Sequence, residues 1–460
     1  MNSDVVQFVE ESRDRFIDEL FEFLRIPGVS TDSSYQPHMQ QCAEFVRDAM
    51  LQAGLSPEII RTAGHPIVYG ERIVSDDRPT VLVYGHYDVQ PPDPVDSWTT
   101  GPFDPEIRDG RIYARGATDD KGQLFTHLKS IEAWVKTTGT VPVNIRFLVE
   151  GEEEVGGENL NDFLESARDR LACDIAVISD TSQYGDGLPA ITCGLRGITG
   201  AEVRIRGASQ DLHSGVFGGS VANPANAIAL LCGSLVDSAG QVQIPGFYDD
   251  ILPVTAGERE QIAQLPFAKN VFLEQIGSRN TFGEAGWSTL ERRWFRPTCD
   301  INGIVSGYTG EGTKTIIPSW AMAKITCRLV PGQDPDSILN SLEQFLKRQC
   351  PDSLDFEFRP FQGCPAFVLD PSSKWISAAS QAVEAGFGTT PVFIREGGSI
   401  PVVTSFKQIL DVDTLLLGWG RNSDNLHSPD EHLHLADFQN GTLASAMLWA
   451  ALAEVSGVTD

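Results

Sequence analysis

His86 closes the apolar run TVLVYGH, and Asp88 stands two residues further on. In an extended backbone residues i and i+2 share a face, so the Asp88 carboxylate can reach the His86 imidazole, fixing its tautomer and raising its basicity. A hydrogen-bonded turn at a strand end is the plainer alternative. Asp119 and Asp120 sit side by side in ARGATDDKGQ, directly ahead of a helical stretch. One of the two is expected to cap that helix, and the other is free to bridge two cations with its two oxygens. Glu152, Glu153 and Glu154 follow the buried strand VNIRFLVEG and precede Val155-Gly156-Gly157. A triple glutamate is usually a solvated face, but this one falls at a strand end beside a tight turn. Asp180 ends DIAVISD in the corresponding position, and His427 lies in the polar segment GRNSDNLHSPDEHLHL. His432 and His434, at i,i+2 spacing, share no helical face and read as surface or helix-start residues. Two histidines and three carboxylates make a mixed N/O donor set suited to a pair of divalent cations, Zn²⁺, Mn²⁺ or Co²⁺. No cysteine stands at any of these positions. No GxGxxG, Walker A or GxSxG pattern occurs.

These groups need a scaffold that brings strand ends together. An amphipathic helix is expected over Val5, Val9, Phe16, Leu20 and Leu24, halted by Pro27-Gly28, with a second helix ending at Gly54. Buried strands at 80–86, 143–149 and 174–180 alternate with helices near 121–135 and 158–167, which argues an α/β fold with a mostly parallel sheet flanked by helices. From Gly187 the texture changes. AEVRIR alternates as a sheet with one wet face does, and 240–300 is irregular and rich in Gly, Pro and aromatic residues. A third stretch adds a helix near 372–385, strands PVFI and TLLLGW, and a final helix over 436–452 that is apolar nearly all round. The expected organisation is one catalytic domain, 1–194 and 363–460, interrupted by an inserted α+β domain, 195–362. Phe217, Phe247, Tyr248, Phe282, Trp287, Trp294 and Phe295 of that insert are candidates for its core or for an interface.

The chain has 460 residues, with 35 Lys and Arg against 63 Asp and Glu, a formal charge of −28. Such a surface repels phosphate, so nucleic acid and anionic membranes are not expected partners. The eight cysteines show no CxxC pair, which fits small buried hydrophobes in a reducing compartment rather than a disulfide framework. Asp4, Glu10, Glu11 and Asp14 interrupt any leader-like apolar stretch, and no membrane-spanning run appears. A cytoplasmic location is the expectation.

GHYDVQPP, WTTGPFDP, GRIYARGATDDKG, EGEEEVGG, ISD, GLRG, DLHSG, REGGSIP and NLHSPDE occur in that order across nearly the whole chain. The ordered set resembles the M20 family of co-catalytic metallopeptidases, nearest its carnosinase-like and bacterial dipeptidase branch. The resemblance implies two divalent metal ions per subunit, Zn²⁺ foremost with Mn²⁺ or Co²⁺ as alternatives. One ion falls to His86 and Asp180, the other to Glu154 and His427, and Asp119 bridges. Asp88 orients His86. Glu153 becomes the general base acting on a metal-bridged water, with Glu152 the alternative for that role. A cis bond between Asp119 and Asp120 is common in the family.

By the same resemblance the activity is hydrolysis of dipeptides by a homodimer, with an amidase for N-acyl or N-succinyl amino acids, a carboxypeptidase, or a non-catalytic binding protein as alternatives. His213, in DLHSG, is donated across the dimer interface to the tetrahedral oxygen. Arg328 clamps the substrate's C-terminal carboxylate, for which a guanidinium fork is geometrically matched. Gly398 and Ser399 contact the same end, and Asn226 and Thr309 are further substrate contacts. The inserted domain serves as lid and dimerisation surface.

Overall fold

The opening amphipathic segment forms two helices, α1 (Ser3–Glu11) and α2 (Arg13–Leu24), where the apolar pattern predicts one. The break at Ser12 leaves the stripe intact, since Val5, Val9, Phe16, Leu20 and Leu24 are all buried. This computed structural model describes residues 3–455. Helix α3 (Gln36–Gln52) buries Met39, Cys42, Val46 and Met50, and Gly54, with φ of 86°, turns the chain after it. Strands β1 (Ser56–Ile60) and β2 (Ile67–Arg72) come next without a clear apolar signature. Pro57 and Glu58 interrupt the apolar run of β1, as suits the edge of a sheet, and Glu71 and Arg72 end the short run of β2.

The expected alternation then follows: β3 (Thr80–His86), α4 (Lys121–Thr138), β4 (Asn144–Glu150), α5 (Glu158–Ser166), β5 (Ile175–Ile178) and β6 (Ala190–Leu195). Next are β7 (Gly197–Arg206), α6 (Pro224–Gly233), β8 (Thr298–Ser306), β9 (Trp320–Leu329), α7 (Pro335–Gln349) and β10 (Asp355–Pro360). The chain closes with α8 (Lys374–Phe387), β11 (Thr414–Leu417), β12 (His432–His434) and α9 (Leu435–Ala453). These elements fall into two units. One holds the described residues up to Cys193, Leu369–Ile394 and the residues from Pro401 onward; the other holds Gly194–Val368 with Arg395–Ile400.

The sheet of the first unit runs β1-β2-β4-β3-β5-β11-β6. Its central strands β4, β3, β5 and β11 are parallel, and the strands beside them are antiparallel. Parallel strands carry all their carboxyl ends to one edge, the place where open α/β sheets bind ligands. Helix α4 is buried along nearly its whole length, charged residues included. Lys121 resolves its own burial by donating from Nζ to the carbonyls of Ile26 (2.6 Å) and Phe23 (3.1 Å). That ties the start of α4, and with it Asp119 and Asp120, to the end of α2. Helix α9 buries Phe438, Leu448, Trp449 and Leu452 and packs on α8.

The second unit has an antiparallel sheet, β8-β9-β7-β10. Ala321, Ala323, Ile325, Cys327 and Leu329 of β9 face a core completed by Ile228, Leu231, Leu342 and Leu346 from α6 and α7. The intervening residues are more exposed, giving one wet face. The irregular 240–300 stretch contains short helices at Ala256–Gln264 and Thr289–Trp294, each opened by a reciprocal cap, Thr255 with Glu258 and Ser288 with Glu291. Both caps are written in the sequence as a hydroxyl three residues ahead of a glutamate, a signal independent of apolar period. The aromatic residues of this unit divide: Phe247, Trp294 and Phe295 are buried, Phe217 and Phe282 exposed. All eight cysteines are free thiols. Among the described residues no helix is long and apolar enough to cross a membrane.

Candidate metal centre

At the carboxyl end of β3, His86 is fully buried, paired in register with Glu150 of β4. Its Nδ1 lies 3.1 Å from the main-chain oxygen of Asp88 and 3.4 Å from the Asp88 carboxylate. That fixes the ring, leaving Nε2 directed at Asp119 Oδ1 (3.2 Å) and Asp180 Oδ2 (3.9 Å). The second oxygen of Asp119 sits 2.9 Å from His427 Nε2, which is also 3.5 Å from Glu154 Oε2. One carboxylate thus faces two histidines from distant parts of the chain. Donor atoms of His86, Asp119 and Asp180 lie within 4.8 Å of one another, as do those of Asp119, Glu154 and His427.

The loops that deliver these groups are held by polar contacts. The peptide bond between Asp119 and Asp120 is cis. Neither aspartate caps α4: the Asp120 side chain makes no cap and instead accepts the His86 main-chain N–H at 3.2 Å. Asp88 accepts the N–H groups of Glu153 (3.3 Å) and Glu154 (3.1 Å), so it orders the glutamate turn as well as the imidazole. Glu152 is occupied elsewhere, both its oxygens taking hydrogen bonds from Asn159 Nδ2 at 3.0 and 2.8 Å. Gln90 donates to Glu154 Oε2 at 2.8 Å. Glu431, fully buried, accepts from the backbone of Gly116 (3.0 Å), Thr118 (3.0 Å) and Asp119 (3.1 Å) and from Arg115 (2.7 Å). Gln90 and Glu431 are not expected from the sequence; both lie inside the motifs GHYDVQPP and NLHSPDE, but a single Gln or Glu there carries no chemistry of its own.

Burial opposes charge at His86, yet Asp119 and Asp88 raise its imidazole well above the ordinary range. Asp119 is pulled the other way. Burial disfavours its charge, but contacts with His427 and His86 hold it below the usual carboxylate range. Burial, reinforced by Asp119, pushes Asp180 well up and Glu154 to about 8. Glu153 is raised by burial, with Asp88 and Asp119 adding to the shift. Carboxyl groups outnumber imidazoles among the donors at this site. His86 Nε2 is buried and makes no hydrogen bond. An unsatisfied imidazole nitrogen among hard oxygen donors, with no thiolate, fits a borderline divalent cation.

The remaining expected residues lie in the second unit. Arg328 on β9 donates to Ser399 Oγ at 3.0 Å, and Ser399 in turn donates to the Arg196 carbonyl at 2.5 Å. Arg196 donates to the Gly397 carbonyl at 3.1 Å. Burial and the neighbouring Arg328 bring its guanidinium down to about 10. Two cations and a serine therefore converge, and Gly398 is exposed beside them. His213 is exposed at the end of strand 212–213, its Nδ1 accepting from Gly215 N at 3.0 Å. Asn226, on α6, and Thr309, in a loop, are exposed. Neither joins the Arg328 group by any described contact.

His434 stands at the start of α9, as the helix-start reading expects, but His432 is not a surface residue. They lie on strand β12, where i and i+2 share a face, and His432 is buried.

The profile of Peptidase family M20/M25/M40 matches residues 82–451. The chain belongs to that family. It is 32% identical to the Cys-Gly metallodipeptidase dug1 of Schizosaccharomyces pombe over 98% of both chains. Human carnosine dipeptidase 1 superposes with a TM-score of 0.83 at 29% identity, covering 98% of this chain and 99% of the other. An M20 family metallo-carboxypeptidase from Sulfolobus solfataricus gives a TM-score of 0.86 at 30% identity, covering 96% of this chain and 99% of that one. This M20 chain thus shares its fold with hydrolases that act on short peptides and on peptide C-termini.

Proposed function

We propose that this M20 chain is a metal-dependent dipeptidase. The observation that carries the proposal is Asp119, with one oxygen toward His86 and Asp180 and the other toward His427, beside Glu154. In this reading His86 and Asp180 hold one divalent ion, Glu154 and His427 hold the second, and Asp119 serves both. Zn²⁺ is the first expectation, with Mn²⁺ or Co²⁺ able to fill the same donor set. When bound, the ions supply Lewis acidity to the scissile carbonyl and lower the pKa of an attacking water. Glu153 takes the proton of that water and delivers it to the leaving amine; its raised pKa suits both transfers. The fixing of Glu152 by Asn159 supports Glu153 as the base. Asp88 keeps His86 in one tautomer and Glu153 and Glu154 in one backbone arrangement.

Arg328, with Ser399 and Gly398, clamps the substrate's terminal carboxylate. The support is the convergence of the Arg328 and Arg196 guanidinium groups, which gain from an anion. Asn226 and Thr309 are weaker contacts in the same role. His213 of a second copy donates to the tetrahedral oxygen. A homodimer is supported by edge strand β8, where Ile301, Ile304 and Val305 stand 41%, 52% and 45% exposed. The inserted unit then acts as lid and as dimerisation surface. The free cysteines support work in a reducing, cytoplasmic setting.

The test is a panel of Cys-Gly, β-Ala-His and other dipeptides, longer peptides and N-acyl amino acids. Cleavage should be confined to dipeptides, stop on chelation and return with Zn²⁺, Mn²⁺ or Co²⁺. Turnover untouched by chelation would overturn the metal mechanism. Trimming of long peptides from the C-terminus would favour the carboxypeptidase reading that the Sulfolobus likeness supports.

A further inference from the structure

Behind the loop that carries His427 lies a second group of metal-type donors. Asp424 is fully buried, and its two oxygens have different fates. Oδ2 accepts from Arg421 N (2.8 Å) and Thr118 Oγ1 (3.3 Å). Oδ1 is buried and accepts no hydrogen bond from any described residue. It faces His432 Nε2 at 3.7 Å and His434 Nε2 at 3.9 Å, both beyond hydrogen-bond reach. His432 places its other nitrogen, Nδ1, 2.9 Å from the Asp430 carbonyl. That bond assigns the Nδ1 proton and leaves the Nε2 lone pair directed at the carboxylate oxygen. Donor atoms of three side chains thus lie within 4.8 Å of one another.

We propose that Asp424, His432 and His434 form a separate binding site for one divalent transition-metal ion, Zn²⁺ in the first instance. Two ligands held about 2.0–2.1 Å from a tetrahedral ion lie roughly 3.4 Å apart, so the observed 3.7 and 3.9 Å close on an ion with shifts of a few tenths of an ångström. A ligating histidine ordinarily donates its other N–H to a carbonyl, as His432 does to Asp430. The Tyr113 ring packs against His432 with centroids 4.9 Å apart and limits its rotation. Arg421 is already neutralised by Asp437 (2.5 Å) and Asp186 (2.8 Å), and Arg111 stands opposite His434 in the strand register. The partly exposed His434 gives the ion a way in.

The consequence is positional. Asp424 and His432 bracket His427 in the chain, and Thr118, which bonds both Asp424 Oδ2 and the His432 carbonyl, immediately precedes Asp119. An ion there staples the ends of the His427 loop and steadies the Asp119 turn from behind. The site uses none of the donors assigned to the Asp119 centre, so it stands or falls by itself.

The test is metal stoichiometry on the full-length protein, stripped by chelator and reloaded with Zn²⁺ by equilibrium dialysis. The double variant His432→Gln/His434→Gln should bind one equivalent fewer than wild type. The variant His86→Ala/Asp119→Ala should still retain one. Equal stoichiometry in wild type and His432→Gln/His434→Gln would overturn the site; so would a His86→Ala/Asp119→Ala protein that binds none, the result expected if a shared proton satisfies these atoms. Should the double variant not fold, the single change His434→Asn, on the partly exposed ring, decides the matter. In the His86→Ala/Asp119→Ala background, loaded Co²⁺ should show visible ligand-field absorption that His434→Asn removes. Absorption absent at the outset, or unchanged by that substitution, would overturn the proposal.

Discussion

The Asp88 carboxylate accepts the main-chain N–H of Glu154 at 3.1 Å while standing 3.4 Å from the imidazole of His86. A residue whose sequence position suggests only an orienting partner for histidine therefore also fixes the glutamate turn. Replacing it should disturb both halves of the site. Asp88→Ala is expected to lower metal affinity or turnover by about 10–100-fold, and Asp88→Asn, which keeps one acceptor oxygen, by less. Competition with a chromogenic chelator, alongside kcat at saturating metal, separates the two effects.

The three glutamates should respond differently to amide substitution. Glu153→Gln removes the proton carrier while leaving the metal donors in place, so kcat should fall by roughly 10²–10⁴ with metal content unchanged. Glu152→Gln alters a side chain already committed to Asn159 and should change kcat by less than about tenfold. Metal analysis and steady-state kinetics on both variants check this. The opposite ranking would assign the base to Glu152.

Glu431 was outside the candidate set, yet it holds the Asp119 turn by three backbone N–H groups and Arg115. Removing the carboxylate strands those donors and leaves Arg115 as a buried unpaired charge. Glu431→Ala should therefore destabilise the protein by about 3–5 kcal/mol. Urea unfolding of the metal-free protein measures the loss without any contribution from bound ions.

That omission shows where sequence reading reaches and where it stops. The strand ends follow from buried apolar runs whose carboxyl ends must share an edge, whereas the pairing of His86 with Asp180 and the choice of Asp119 as the bridge are implied only by the family resemblance. The supporting contacts follow from neither, because they join residues remote in the chain whose types are common in any loop. The burial of His432 beside His434 escapes the sequence for a different reason. Their spacing is uninformative on a helix but places both on one face of a strand, and the three-residue strand β12 is too short to leave an alternation to read. β1 was invisible because an edge strand tolerates the proline and charge that break an apolar pattern, and β2, paired on both sides, offers only a four-residue buried run.

His127 offers a stability test outside the candidate metal centre. It is fully buried on α4, 2.8 Å from Ser179 Oγ and 3.1 Å from Ser445 Oγ, and burial lowers its imidazole from 6.5 to about 3. Between those two values the unfolded chain binds a proton that the folded chain refuses. Stability conferred by the neutral ring is thus complete above pH 6.5, falls as pH drops toward 3 by up to about 1.4 kcal/mol per unit, and levels off below. His127→Asn should flatten the pH dependence over that window. Urea midpoints from pH 7 to pH 4 for both proteins measure the difference, which cancels contributions from the shared carboxyl groups.

The proposed composite site makes the sharpest demand on the inserted unit. His213 is exposed, and its only described polar contact is the local bond from Gly215, so its loss should not unfold the chain. If the ring of a second copy donates to the developing oxyanion, His213→Ala should lower kcat by about 10²–10³-fold with little change in Tm. Neither His213→Ala nor Glu153→Gln homodimers would then turn over well, because each lacks one part in every site. A heterodimer of the two contains one site with an intact Glu153 from one copy and an intact His213 from the other. Co-expression with two affinity tags isolates that species, and its kcat should recover to about half the wild-type value, as one intact site of two requires. Heterodimers no more active than their parents would place His213 outside the reacting centre or within its own subunit's site.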